Sequence, residues 1–179
     1  EQVLEYYNAL ISQKDKTVQI QRIENEGSSS GIRSGNGRAT IIGVDMLDAE
    51  TGTSARSFSV GESVIIRCRI CYHEKVIDPT VGILLRDRLG NDVFGTNTYL
   101  LGCRLVEEAG EQTVDFHLAL NLGTGSYSVT VASHTTSTHV ADNHDWWDRI
   151  FVFTIHPDSS PEFIGIAALP VHANLLRGH

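Results

Sequence analysis

The chain has 179 residues, 41% of them apolar and 7% aromatic, which suits one globular domain with its own core and is short for two. Fourteen Lys and Arg against 22 Asp and Glu leave a formal charge of −8, a field that repels phosphate backbones and anionic lipid heads and argues against a nucleic-acid partner. No apolar run approaches the roughly 20 residues of a membrane span. The start Glu1-Gln2-Val3-Leu4-Glu5 is unlike a signal peptide, and three cysteines with no Asn-Xaa-Ser/Thr acceptor fit the cytoplasm better than a disulfide framework.

Val3, Leu4, Tyr7, Leu10 and Ile11 fall at helical spacing and predict a short amphipathic helix over 1–12. Residues 13–37 are mostly Lys, Asp, Gln, Glu, Ser and Gly and read as a flexible linker. From residue 38 to 171 the period changes to 2. Strands are predicted near 39–47, 57–60, 63–73, 81–86, 92–101, 112–120, 126–134, 150–156 and 163–168, separated by Gly, Pro, Asp and Asn clusters, with a tail over 172–179. Short strands at this spacing predict an all-β fold, a two-sheet antiparallel sandwich of immunoglobulin-like or jelly-roll type.

The turn Gly90-Asn91-Asp92 joins Val81–Leu85 to Val93-Phe94 as a hairpin, with Gly90 free to take positive φ. Its second strand runs into Gly95-Thr96-Asn97-Thr98, where a strand glycine marks a bulge or a close backbone approach.

Strand parity sorts the faces. Val64, Ile66, Cys68, Ile70 and Tyr72, with Val114, Phe116, Leu118, Leu120, Tyr127, Val129 and Val131, form the inward set. The outward set carries Arg67, Arg69, His73, Asp115, His117 and His134 around the small Ser128, Thr130 and Ala132. Placed in one sheet, these make a shallow polar trough. A plain solvated sheet face is the alternative.

Chemistry is sparse. Gly27-Ser28-Ser29-Ser30-Gly31 has the letters of a nucleophile elbow but lies in the linker, and no Gly-Lys dipeptide exists to build a phosphate-binding P-loop. Cys68-x-x-Cys71 puts its thiols on opposite faces of a strand, so neither metal binding nor a redox pair is expected of it. The run from His134 and His139 through Asp142-Asn143-His144-Asp145-Trp146-Trp147-Asp148 reads as a polar loop that could hold zinc or calcium if its side chains converged. No carboxylate pair suggests acid–base catalysis. The reading is of no enzyme, with no cofactor and no metal. Trp146 and Trp147 point opposite ways, so one indole packs on the sandwich edge while the other can lie under a sugar ring.

Five stretches, Gly35-Asn-Gly-Arg-Ala-Thr-Ile41, Phe58-Ser-Val-Gly-Glu-Ser-Val64, the run from Val81 to Thr98, Leu122-Gly-Thr-Gly-Ser-Tyr-Ser-Val129 and His144-Asp-Trp-Trp-Asp148, together resemble the carboxy-terminal domain of Wzt-type ATPases of ABC exporters for O-antigen polysaccharide. The resemblance implies a non-catalytic carbohydrate-binding module that reads the modified non-reducing end of one O-polysaccharide and licenses its export. It further implies that 1–12 is the tail of a preceding ATPase domain, that an exporter subunit in the inner membrane is a partner, and that the chain works in the cytoplasm as a homodimer whose strand 163–171, after the hinge Asp158–Pro161, is exchanged. The ligand set on this reading is Arg67, Arg69, His73, His117, Thr130, His134 and Trp146, with Asn97 and Tyr99 at the rim. The rival readings are a structural dimerisation domain coupling two ATPase subunits and a metal-dependent glycan-modifying enzyme.

Overall fold

The computed structural model describes residues 19–23, 31–137, 142–158 and 162–176. The segments read as an amphipathic helix, 1–12, and as the His139 portion of a metal loop lie outside these residues. Among the described residues there are ten strands, β1 (Gln19–Ile23), β2 (Gly31–Gly35), β3 (Ala39–Asp48), β4 (Ser57–Ser59), β5 (Ser63–Tyr72), β6 (Pro79–Asp87), β7 (Asp92–Asn97), β8 (Gly110–Ala119), β9 (Gly125–Thr135) and β10 (Asn143–His156). They form two sheets. The larger runs β1-β2-β10-β9-β6-β7, with β4 parallel to the end of β10, and the smaller runs β3-β5-β8; every other pairing is antiparallel.

The inward sets meet between the sheets as the alternation requires. Val64, Ile66, Cys68, Ile70 and Tyr72 of β5 pack with Val114 and Phe116 of β8 and with Tyr127, Val129 and Val131 of β9, all buried. Phe153 at the centre takes the ring of Phe58 edge-on and that of Tyr127 in a stack, with centroids 6.3 and 5.7 Å away. Each such side chain contributes about 1.5–3 kcal/mol on leaving water, which is why a strict period of 2 suffices to fix the faces.

Three expectations are corrected. Two strands, β1 and β2, lie within the stretch read as a linker. β2 has poor strand composition, but Arg33 and Ser34 pair with Trp147 and Trp146 of β10, and Gly35 lies so close to β10 that a Cβ there would run into the His144 carbonyl. The run Asn143–Asp148 is the first half of β10 and no loop. Residues 163–168 form no strand: a single bridge joins Ala167 to Leu122, and Gly165 turns the chain at φ 120. The hairpin turn forms as expected, with Gly90 at φ 86, and the strand after it ends at Asn97. No helix among the described residues is long and apolar enough to cross a membrane.

Candidate functional site

The sandwich has two outer faces, and the residues expected in one trough are divided between them. β5 and β8 are neighbours in the smaller sheet, but β9 belongs to the larger one. Arg67, Arg69, His73 and His117 therefore lie on the opposite side of the molecule from Thr130 and His134. On the smaller sheet the register sets Asp45, Arg67 and Asp115 in one row across three strands. Arg67 donates through Nε and Nη2 to both oxygens of Asp115, at 2.8 and 2.7 Å, and Arg69 donates to Asp45 at 3.1 Å. The bond from Arg67 holds the Asp115 carboxyl below its usual pKa, and Asp115 raises that of Arg67 in return. His73 Nε2 is 2.7 Å from Thr40 Oγ1. Both guanidinium groups are thus occupied by carboxylates of their own sheet.

The outer face of the larger sheet is built differently. One row crosses five strands, Asn97, Gly82, Ala132, Trp146 and Ser34 from β7 to β2. Gly82 and Ala132 form a floor of small residues in this row, and Trp146 follows them, between Ala132 and Ser34. One row along, β10 bulges. Trp147 pairs with Val131 and Phe151 with Val129, so Asp148, Arg149 and Ile150 are set against Thr130 alone, with Arg149 at φ 45. An ion cluster fixes the bulge. Arg86 donates to Asp148 Oδ1 at 2.6 Å, Thr130 Oγ1 donates to the same oxygen at 2.9 Å, the Arg149 amide donates to Thr130 Oγ1 at 3.0 Å, and Arg149 Nε lies 3.3 Å from Asp148 Oδ2. Burial works against the Arg86 charge, yet its bonds to Asp92 and Asp148 outweigh that and raise its pKa.

Of the other expected residues, Asn97 donates to the Ser137 carbonyl and accepts from the Leu100 amide, tying two loops at the end of this face. His134 is buried, with Nδ1 3.2 Å from the Thr135 carbonyl, its ring against Gly82, where a Cβ would come within 3.7 Å of Nε2. Tyr99 is exposed at the rim beneath the Arg104 guanidinium, 4.9 Å from its ring centroid. Thr130, His134, Asn97 and Trp146 share this face with Tyr99 at its margin, and Thr130, His134 and Asn97 are tied by internal bonds. The residues that sequence reasoning missed are Arg86, Asp148 and Arg149. Arg86 has outward parity with Gly82 and Leu84, and that was the available signal.

Trp147 faces the other way, packs against the core and carries Arg33 over its ring at 4.5 Å. Arg33 also donates to Asp145 Oδ1 at 2.9 Å. Asp142 accepts from Asn36 at 2.7 Å and from Arg38 at 2.9 Å, and sits 3.1 Å from His144 Nε2. Burial is the main cause that pushes the His144 pKa down. The acids of the expected metal loop are thus committed to arginines, and among the described residues no group of three or more His, Cys, Asp or Glu is placed to hold a metal. A cavity of about 220 Å³ opens beside this cluster, lined by Arg33, Ser34, Gly35, Gly37, Ala39, Thr40, His144 and Asp145.

A family model described as the Wzt C-terminal domain matches residues 30–169. Among solved structures, the crystal structure of the C-terminal domain of Wzt is similar with a TM-score of 0.69 at 18% identity, over 87% of this chain and 93% of that one. A β-glucosidase from Listeria innocua in complex with gluconolactone matches with a TM-score of 0.37 at 14% identity, over 72% of this chain and 16% of its own. No curated protein matches.

Proposed function

Because the chain belongs to the Wzt C-terminal domain family, we propose that it is a non-catalytic carbohydrate-binding module which recognises the modified non-reducing end of an O-antigen polysaccharide, and that the outer face of its larger sheet does the recognising. On this reading it works in the cytoplasm, at the inner membrane, attached to an ATPase domain and an exporter subunit. The observation that carries the placement is the row of Gly82, Ala132 and Trp146, an indole beside a floor of small residues, walled by Arg86 and Asp148. An indole face suits the apolar face of a pyranose ring, and the largely buried Arg86–Asp148 pair supports it by holding the neighbouring β10 bulge rigid. The outward positions of β5 and β8 in the smaller sheet carry no indole, phenol or phenyl ring. Calorimetry with the polymer of the producing strain tests the placement. Trp146→Ala is expected to weaken binding at least tenfold in a variant that still unfolds cooperatively, and unchanged affinity would sink it.

A specific observation also favours the dimerisation reading. The Leu122–Ala167 bridge starts an antiparallel register along the free edge of β8, and continued along a strand it would set Leu169, Val171, Ala173 and Leu175 opposite the inward residues Leu120, Leu118, Phe116 and Val114. The segment does not lie there. Leu169, Val171, Leu175 and Leu176 are exposed at 75–89%. Pro170 falls opposite Ala119, at a position whose backbone faces the free edge, because Leu120 turns its own amide and carbonyl toward Glu62 and Gly61. The missing N–H costs one ladder bond on any β8 edge, so what favours a second copy is the exposed apolar row of the tail beside an unpaired edge strand. Truncation after Ala168 is expected to give a monomer by light scattering. A dimer that persists would remove the tail from the interface.

A further inference from the structure

The three cysteines sit in three chemical settings. Cys68 is sealed in the core, where desolvation pushes its thiol pKa up and keeps it unreactive. Cys103 is exposed on the connection from β7 to β8. Cys71, three residues beyond Cys68, is half-buried on the outer face of the smaller sheet.

On that face the pairing of β3 with β5 brings three groups into line. Thr40 is the direct cross-strand partner of Cys71, and His73 follows Cys71 by two residues, so all three share one side of the sheet. His73 Nδ1 is 4.0 Å from Cys71 Sγ, and His73 Nε2 is 2.7 Å from Thr40 Oγ1. When Nε2–H donates to the threonine hydroxyl, the lone pair of Nδ1 is left facing the thiol. The arrangement is a nucleophile, a base in reach of its proton, and a third group that orients the base. Arg69 precedes Cys71 on the same face, tied to Asp45, and Glu111 lies directly across on β8.

We propose that Cys71 is a site of reversible thiol modification, exchanging with low-molecular-weight disulfides through a thiolate that His73 generates. His73 Nδ1 takes the proton from Cys71 Sγ, and the thiolate attacks one sulfur of the disulfide. A bond from Cys71 to that sulfur forms as the old sulfur–sulfur bond breaks. The other half departs as a thiolate with the electron pair and receives the proton from the imidazolium, so Cys71 is oxidised and one thiol is released reduced. The site is on the opposite side of the sandwich from the Trp146 row and does not rest on the glycan reading. It adjoins the cavity that Thr40 helps to line.

Glutathione disulfide is the probe. The intact chain is incubated with it at about pH 7, quenched and alkylated, and the mixed disulfides at Cys71 and Cys103 are counted by peptide mass spectrometry over time. Cys71 is expected to react about tenfold faster than Cys103, because only Cys71 has a base in reach of its proton. His73→Gln should bring Cys71 down to the rate of Cys103 without altering Cys103, and Thr40→Val should act in the same direction by less. In the unsubstituted chain the ratio should narrow above about pH 8.5, where an unassisted thiol ionises. A Cys71 no faster than Cys103, a rate unmoved by His73→Gln, or a ratio constant from about pH 6 to 9 overturns the proposal.

Discussion

The two outer faces of the sandwich carry the same kinds of side chain and put them to different use. On the smaller sheet the pair Arg67–Asp115 leaves 42% and 28% of its side chains exposed; on the larger, the pair Arg86–Asp148 leaves 18% and 6%. An ion pair in water adds little to stability, since solvent screens it and ordering two long side chains costs entropy. A buried one is different in kind. It contributes modestly when intact, but removing one partner strands the other charge away from water. One face is therefore a solvated surface with its charges cancelled, and the other is a rigid wall that holds a strained bulge at Arg149.

Breaking the two pairs is the strongest way to test that difference. Asp148→Ala takes away one of the two carboxylates on Arg86, leaving Asp92, and strips the Thr130 hydroxyl of its buried acceptor; it is expected to cost about 1–3 kcal/mol in a denaturant titration. Asp115→Ala should leave the unfolding midpoint within error. Equal losses from both would erase the distinction between the faces.

A smaller effect follows from His144, which is 1% exposed and joins Asp142 to the start of β10. Burial depresses its pKa in the folded chain, so below the ordinary imidazole value of about 6.5 the unfolded chain binds a proton that the folded one resists. The His144 contribution is therefore whole above about pH 6.5 and declines as the pH falls below it. The carboxylates with depressed pKa, Asp48, Asp87 and Asp115, lose their contributions only as the pH falls below the ordinary carboxylate range, so the two windows separate. Urea midpoints should drop between about pH 7 and 5 in the wild type and less in His144→Gln; parallel curves would assign the slope elsewhere.

Parity made the inward residues of β5, β8 and β9 legible, because one wrong face would put every apolar side chain in water. It could not tell which sheet a strand joins. That choice is made by pairing between distant segments, and placing β9 beside β8 merged two faces that lie on opposite sides. The same limit hid the first half of β10. Asp145 and Asp148 read as loop residues until partners 112 and 62 positions away, Arg33 and Arg86, are brought to them by the fold. β2 was lost for the same reason, since Gly31–Gly35 has no strand pattern of its own and is held by its neighbours. What local spacing did supply was the opposition of Trp146 and Trp147, the feature on which the glycan reading now rests.

The smallest effect expected is also the sharpest check on which face binds. Arg67→Ala with Arg69→Ala frees Asp115 and Asp45 on a solvated surface and removes two cations that the sequence pattern nominates for ligand contact. Their guanidinium groups are already paired, and a ligand would have to displace a carboxylate to reach either. Calorimetry on the double variant should therefore give the wild-type affinity for the polysaccharide. Lost binding would move recognition to the smaller sheet and make Trp146 a packing residue; retained binding together with a defect in Trp146→Ala leaves the larger sheet as the face that reads the glycan.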